Sequence, residues 1–286
     1  MSAAQPTSAE ARPPRLAITK GQILVGIGLT MLAVMVIVTL LAPWLSPYDP
    51  SQTSPRPLSP MSAAHWLGTD MIGRDIFSRL IVGGRTTLLI TFTAVALALA
   101  MGTVIGLVSG YLGGVVDEVL VRALDVVFAF PTFLLAIAVV AALGPSIPNL
   151  IVTIAIVYTP AMARVVRGPV LAIKRLDHVE AARSVGVPEF RLVTRHILPL
   201  AISPILVETS LTMAQTIFTV TALSFLGLGP PPPDPNWGGM LAEARQFMEL
   251  SPITVIAPSA AIVFATLTFI ILGNGLREVM DVGNRR

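Results

Sequence analysis

The groups able to do chemistry in this sequence are sparse, and their spacing excludes most of what such groups can do. There is no cysteine, so thiolate nucleophiles, disulfides and cysteine-ligated metals are ruled out. The three histidines, His65, His178 and His196, are scattered without ligand spacing, and no metal or cofactor is expected. A phosphate-cradling loop needs a Gly-Lys-Ser/Thr step, but the only lysines, Lys20 and Lys174, follow Thr19 and Ile173. Gly-x-Ser-x-Gly is absent, and a serine nucleophile needs a nearby base. No catalytic residue is assigned and no enzyme is expected.

What remains is a stretch of about thirty residues, 169–199, that is long for a connection between helices. Glu180, Ala181, Ala182 and Val185 fall together on one face of a short helix, whose small side chains let another backbone come close. Gly186 can end that helix, since glycine accepts left-handed backbone angles at no steric cost. Pro188 suits the first turn of a second helix, with Phe190, Val193 and Ile197 at helical spacing, and Leu198-Pro199 lead out of it. Glu180, Arg183, Arg191 and Arg195 supply charge at the rim. Physics alone fits two readings equally: insertion into a groove on another protein, or an amphipathic loop packed on its own chain. One further acid, Glu208, lies nine residues after Pro199, roughly 13 Å along a helix. At that depth it should face the interior or a wet cavity, and an internal hydrogen-bond partner is favoured over a path-lining role.

The elements that position these residues follow from composition. The chain is 54% hydrophobic and 12% charged, with a mean hydropathy of +0.80. A soluble surface needs more polar cover than that, whereas a bilayer does not. A formal charge of +3 does not point to nucleic acid, and the expected solvent partner is membrane lipid. Six apolar runs are long enough to span: 21–45, 86–110, 119–142, 149–168, 200–226 and 253–275. The first is too long for a signal-peptide core and reads as a retained helix. Pro131 should bend the third, where Glu118, Arg122 and Asp125 can neutralise one another at i, i+4 and i, i+3 spacing.

Fourteen of the nineteen basic residues fall on one side if the N-terminus is cytoplasmic, which puts both termini and the 169–199 loop inside. Arg164 and Arg167 then snorkel where the fourth helix leaves the membrane. Residues 1–20 and 277–286 read as cytoplasmic tails, the first disordered. The organisation expected is a first helix with its external segment over 21–85, then a five-helix core over 86–276. Within 46–85, Ile72, Ile76, Phe77, Leu80 and Ile81 share a helical face opposite Arg74, Asp75, Ser78 and Arg79, which predicts an amphipathic helix at the membrane interface. The other external segment, 227–252, carries the stiff run 230–233 and a short helix near 238–248 with Met240, Leu241, Ala244, Phe247 and Met248 on its apolar side.

Glu180-Ala181-Ala182, then Gly186, then Leu198-Pro199 resembles the "EAA" signature of ABC importer permeases. The pattern usually has an aliphatic residue where His196 stands; Ile197 beside it is placed to supply the apolar contact. A second set of residues resembles the C-type subunits of dipeptide, oligopeptide and nickel permeases. It comprises Leu67-Gly68-Thr69-Asp70, Gly73-Arg74-Asp75, Ser78-Arg79, Gly83-Gly84-Arg85, Asp125 with Pro131, and the run from Ser224 to Gly229 with Trp237-Gly238 and Met240-Leu241.

The resemblance implies an all-α integral membrane fold of the type I importer kind, with six transmembrane helices and a cytoplasmic coupling loop between the fourth and fifth. It implies that Glu180, Ala181, Ala182, Arg183, Gly186, Phe190, Leu198 and Pro199 couple the chain to an ATPase, and it leaves Glu208 as the one candidate for the translocation path. The implied partners are a second, non-identical permease, two ATP-binding subunits and an extracytoplasmic peptide-binding protein, in the bacterial inner membrane. Dipeptides or oligopeptides are the expected cargo, with nickel or glutathione as alternatives. A stand-alone ion-coupled transporter is the rival from another class, but it calls for paired ionisable groups near the midplane.

Overall fold

The chain, seen in a computed structural model, is described over residues 20–283. Of the two expected tails, 1–19 and 284–286 lie outside the described residues; Lys20 already begins the first helix, and 277–283 continue the last one.

Apolar runs of this length become helices because a bilayer offers the backbone no other hydrogen-bond partner. In order, the chain forms α1 (Lys20–Leu40), α2 (Ala42–Leu45), α3 (Ile76–Leu112), α4 (Gly114–Phe128), α5 (Thr132–Leu143) and α6 (Ile147–Ile173). There follow α7 (Asp177–Ser184), α8 (Glu189–Leu192), a π-helical stretch (Val193–Ile197), α9 (Leu198–Phe225), α10 (Trp237–Ala244) and α11 (Ile253–Gly283). Five helical segments are long and apolar enough to span, and α4 with α5 make a sixth if that bent pair counts as one. Among the described residues, sheet structure is limited to two isolated bridges, Thr53 with Arg74 and Thr69 with Asp75. The all-α membrane architecture expected from the sequence is the one observed.

Several boundaries differ from expectation, each for a local reason. The first run stops at Leu40 and restarts for one turn, because Pro43 lacks an amide hydrogen and is accommodated in a first turn. The segment before residue 86 is no separate interfacial helix. Asp75 caps α3 by accepting from the Ser78 amide, and the helix then runs unbroken into the second span. Its supposed polar face is buried: Arg74 is 8% and Arg79 3% exposed, while Ile72 faces outward. The third run bends by 85° between α4 and α5, next to Pro131. Pro169 does not end α6, which continues one turn further with Val170 packed under Gly110 of α3. In 227–252 the helix ends at Ala244; Met240 and Ala244 are buried, and Met248 points out.

The frame is three long contacts: α3 along α6, α1 along α11, and α11 along α9. Small residues make the first possible. A Cβ at Gly106 of α3 would stand 2.5 Å from the Ala163 carbonyl oxygen and 2.7 Å from Val166 Cβ of α6. Membrane helices gain little from burying apolar surface against each other, so this close backbone approach holds the pair by dispersion contacts. A Cβ at Gly28 of α1 would stand 2.9 Å from Leu272 Cα of α11. At the end of the bundle nearest α7, a core of Val166, Val170, Val179, Leu192, Ile197, Ala201 and Ile205 ties the loop to α6 and α9.

Candidate functional site

The loop between α6 and α9 has an anchored side and a bare one. Val179, Leu192 and Ile197 are fully buried in the core described above, and Ala182, Val187, Val193 and Leu198 pack against it. On the other side Val185 is 80% and Phe190 81% exposed. Glu180, Ala181, Arg183 and Gly186 share that exposed side, as does Pro199 in the first turn of α9. The two alanines are therefore parted: Ala181 stands one turn before Val185 on the outer face, and Ala182 turns inward.

The turn between α7 and α8 is built by hydrogen bonding. The Val187 amide donates to the Ala182 carbonyl at 3.2 Å and the Gly186 amide to the Arg183 carbonyl at 3.0 Å. That is a Schellman closure, with Gly186 at φ +78° in the left-handed position the motif requires. Asp177 and Glu180 lie in the first turn of α7 and Arg183 in its last, which matches the helix dipole at both ends. The sequence spacing had Phe190, Val193 and Ile197 on one face; the π-helical stretch separates them, leaving Phe190 outside and Ile197 inside. Ile197 does make the apolar contact next to a half-buried His196. Nothing in residue type announces the π stretch.

Basic residues behind the loop carry contacts that sequence reasoning missed. Arg167, expected to snorkel, donates to both carboxylate oxygens of Asp117 at 2.7 and 2.6 Å, and Ser109 also donates to Asp117. Arg164 reaches Asp125 at 3.1 Å and lies 4.2 Å from the centre of the Phe128 ring. Asp125 is thus drawn away from the network expected with Glu118 and Arg122, which pair with each other alone at 2.6 Å. Lys174 donates to the carbonyls of Gly110 and Tyr111, and Arg183 to the Tyr111 hydroxyl.

Glu208 is half-buried on α9. The internal hydrogen bond expected for it is not made: among the described residues no donor reaches its carboxylate, and the charge that acts on it is that of Arg277 on α11. At the opposite end of the bundle, Arg74 and Arg79 both donate to Asp70 and to Glu243, joining the segment before α3 to α10. Burial pushes the Glu243 carboxyl above the usual glutamate range, against the pull of Arg74. His65 contacts Asp75 at 2.9 Å, and the Trp237 indole donates to the Leu80 carbonyl.

None of these groups forms a nucleophile–base or metal-ligand constellation among the described residues. The arrangement presents two apolar knobs, rimmed by charge, on a hydrogen-bonded turn connected to two spanning helices.

Comparison with known proteins bears on what such a part belongs to. The family described as "Binding-protein-dependent transport system inner membrane component" matches residues 102–286. The "N-terminal TM domain of oligopeptide transport permease C" matches residues 24–60. The glutathione transport system permease protein GsiD of Pectobacterium atrosepticum is 44% identical over 249 residues, 86% of this chain and 83% of that one. The dipeptide transport system permease protein DppC of Alkalihalophilus pseudofirmus is 41% identical over 256 residues, 89% and 84% respectively. In fold, the chain is similar to the MetNI methionine ABC transporter in an inward-facing form (TM-score 0.57, 18% identity, covering 72% of this chain and 97% of that one). An amino acid ABC transporter gives a TM-score of 0.54 at 21% identity, covering 69% and 92%.

Proposed function

The chain belongs to the binding-protein-dependent transport system inner membrane components, as an ABC importer permease of the peptide family, and from that premise we propose that it converts closure of partner ATPases into helix movement for peptide uptake. In this reading it pairs with a second, non-identical permease, two ATP-binding subunits and an extracytoplasmic peptide-binding protein. Both termini and the 177–199 loop lie on the cytoplasmic side. ATP-driven closure of the motor subunits presses on the loop, rocks the helices and opens the path outward; hydrolysis restores the inward-facing form.

One observation carries the assignment of the loop: Val185 and Phe190 are almost bare, on either side of a Schellman turn whose inner face is fully packed. Apolar side chains held out by a packed inner face have a partner to meet. Burying one of them is worth about 1.5–3 kcal/mol. Glu180 and Arg183 supply rim pairs, Gly186 the turn, and Ala181 close approach, while Ala182 and Leu198 hold the loop to its helices and Pro199 opens α9. Glu208, without an internal hydrogen bond, is assigned to the path. The 21–85 and 86–276 segments work as one permease body, since α3 runs across their boundary.

Short peptides are the proposed cargo. Glutathione is the second reading, favoured by the 44% identity to the Pectobacterium protein against 41% to the dipeptide permease. Uptake of a labelled dipeptide in competition with glutathione separates the two. The loop assignment is tested by purifying the detergent-solubilised chain from its native membrane and identifying its companions by mass spectrometry. Wild type should bring down a second permease and P-loop ATPases; Phe190→Glu should keep the permease and lose the ATPases. Retention of the ATPases by Phe190→Glu rejects the loop as their docking site, and recovery of the wild-type chain alone rejects the importer assembly.

A further inference from the structure

We propose that Arg164, Arg167, Lys174 and Arg183 form a strut that carries displacement of the α7 loop to the bent pair α4–α5. The inference rests on the reading above, in which a motor subunit moves that loop. All four residues look like ordinary basic residues at a membrane boundary, and snorkelling needs no partner. Each of them nevertheless meets a different point around the corner where α3 turns into α4. Arg183 donates to the Tyr111 hydroxyl at 3.2 Å, with its guanidinium 5.7 Å from the ring centre. Lys174 caps the end of α3 through the carbonyls of Gly110 at 2.7 Å and Tyr111 at 3.2 Å. Arg167 grips Asp117 through two bonds, and Arg164 holds Asp125 one and a half turns before the Pro131 bend. No acid is shared between two of them.

What they hold has few other attachments. α4 has no buried residue, and Val115, Val119 and Val126 point away from the bundle. The chain enters α4 through Gly113 and Gly114, both at positive φ, and leaves it through the 85° bend into α5. A helix unburied along its length and jointed at both ends follows whatever grips its middle. Here that is α6, a continuous helix of 27 residues packed along α3 and ending three residues before α7. Movement of α7 therefore reaches α4 through one continuous helix and the short turn 174–176, and α4 takes the spanning segment α5 with it. Arg167 and Arg164 are positioning residues in this scheme, since neither needs to touch the cargo.

The test uses the assembled complex in proteoliposomes. In Arg167→Gln and Asp117→Asn, ATP hydrolysis stimulated by the binding protein should stay near wild type while uptake falls about tenfold, within the range for residues on a coupling network. Arg167→Lys should restore most of the uptake because the charge remains. Spin labels at Val119 and Arg175 provide a structural readout that is independent of uptake. Their separation should be unchanged in wild type between nucleotide-free and nucleotide-trapped states, and should shift in Arg167→Gln. A wild-type change of about 5 Å or more, the scale of a one-turn slip, overturns the strut. So does uptake that survives Arg167→Gln, or uptake and hydrolysis that fall in proportion. Failure of the parent reading looks different, because the wild-type chain then recovers no ATPase at all.

Discussion

Gly186→Val changes one energetic term at the turn between α7 and α8 and leaves the others alone. Gly186 sits at φ +78°, and no atom lies within 4 Å of the position a Cβ would take. A larger side chain meets no obstacle there, so the cost is that of the backbone. An L-residue in the left-handed region costs roughly 1–2 kcal/mol, and a branched Cβ puts valine at the upper end. Segments of this kind open locally at low free energy, so the cost appears as a smaller binding-competent fraction and a proportionally weaker apparent affinity. At about 1.4 kcal/mol per factor of ten, ATPase binding should weaken between about fivefold and thirtyfold. Asparagine enters the left-handed region readily, and Gly186→Asn should stay close to wild type. The assay is a binding isotherm of the ATPase subunits on the permease pair in nanodiscs, with uptake measured in parallel. Wild-type affinity in Gly186→Val refutes the backbone argument. Equal weakening in valine and asparagine refutes it differently, by assigning the effect to side-chain contact with the ATPase.

Three other outcomes are expected. Gly106→Ala should lower the thermal midpoint of the purified chain, because crowding against Ala163 and Val166 at about 1–3 kcal/mol outweighs alanine's helix advantage of about 1 kcal/mol. Gly26→Ala, with nothing within 4 Å, should raise the midpoint or leave it alone, and the reverse order would defeat the packing argument. The carboxyl infrared band that vanishes in Glu243→Gln should titrate above the usual glutamate range. Because the folded state then holds the proton more tightly than the unfolded chain, protonating Glu243 favours the fold as pH falls; a band titrating at or below the ordinary value shows that the arginines outweigh burial. Glu208→Gln should leave complex assembly intact, having no internal bond to lose, and reduce uptake selectively. Loss of assembly instead would return Glu208 to a structural role.

The helices were legible because a bilayer demands long apolar runs, and Gly186 was legible because few residues tolerate its backbone angles. Local periodicity failed where partners are remote. Arg74 and Arg79 follow Asp70 closely, yet the acid that completes their burial is Glu243, 169 and 164 residues further on. Read against their own helix alone, those arginines belong on a wet face, and the predicted interfacial helix follows from that error. Arg164 and Arg167 were misread for the opposite reason, since a basic residue at a helix end has the same sequence signature whether water or an acid meets it. Ala182 was grouped with Ala181, but it stands three residues after buried Val179 and so shares that residue's inward face, where Val187 joins it after the Schellman turn.

Exposure ranks the charged contacts at the two ends. Arg74 and Arg79 are more than nine-tenths buried between Asp70 and Glu243. Removing a single partner from such a set leaves an uncompensated charge, at about 3–5 kcal/mol. That binds the segment before α3 to α10 as one plate over the bundle. At the α7 end, Arg164–Asp125 and Arg122–Glu118 are more than half exposed on both sides, and exposed pairs are worth about 0–1 kcal/mol. Only Asp117–Arg167 there is both two-pronged and largely shielded, with Ser109 adding a third bond. The plate end is therefore held by buried pairs, and at the α7 end Asp117–Arg167 is the strongest of the charged links. If force enters through α7, Arg167 is the residue whose loss should be felt first, while Arg122→Gln serves as the nearby control that removes a charge without removing a link to α6.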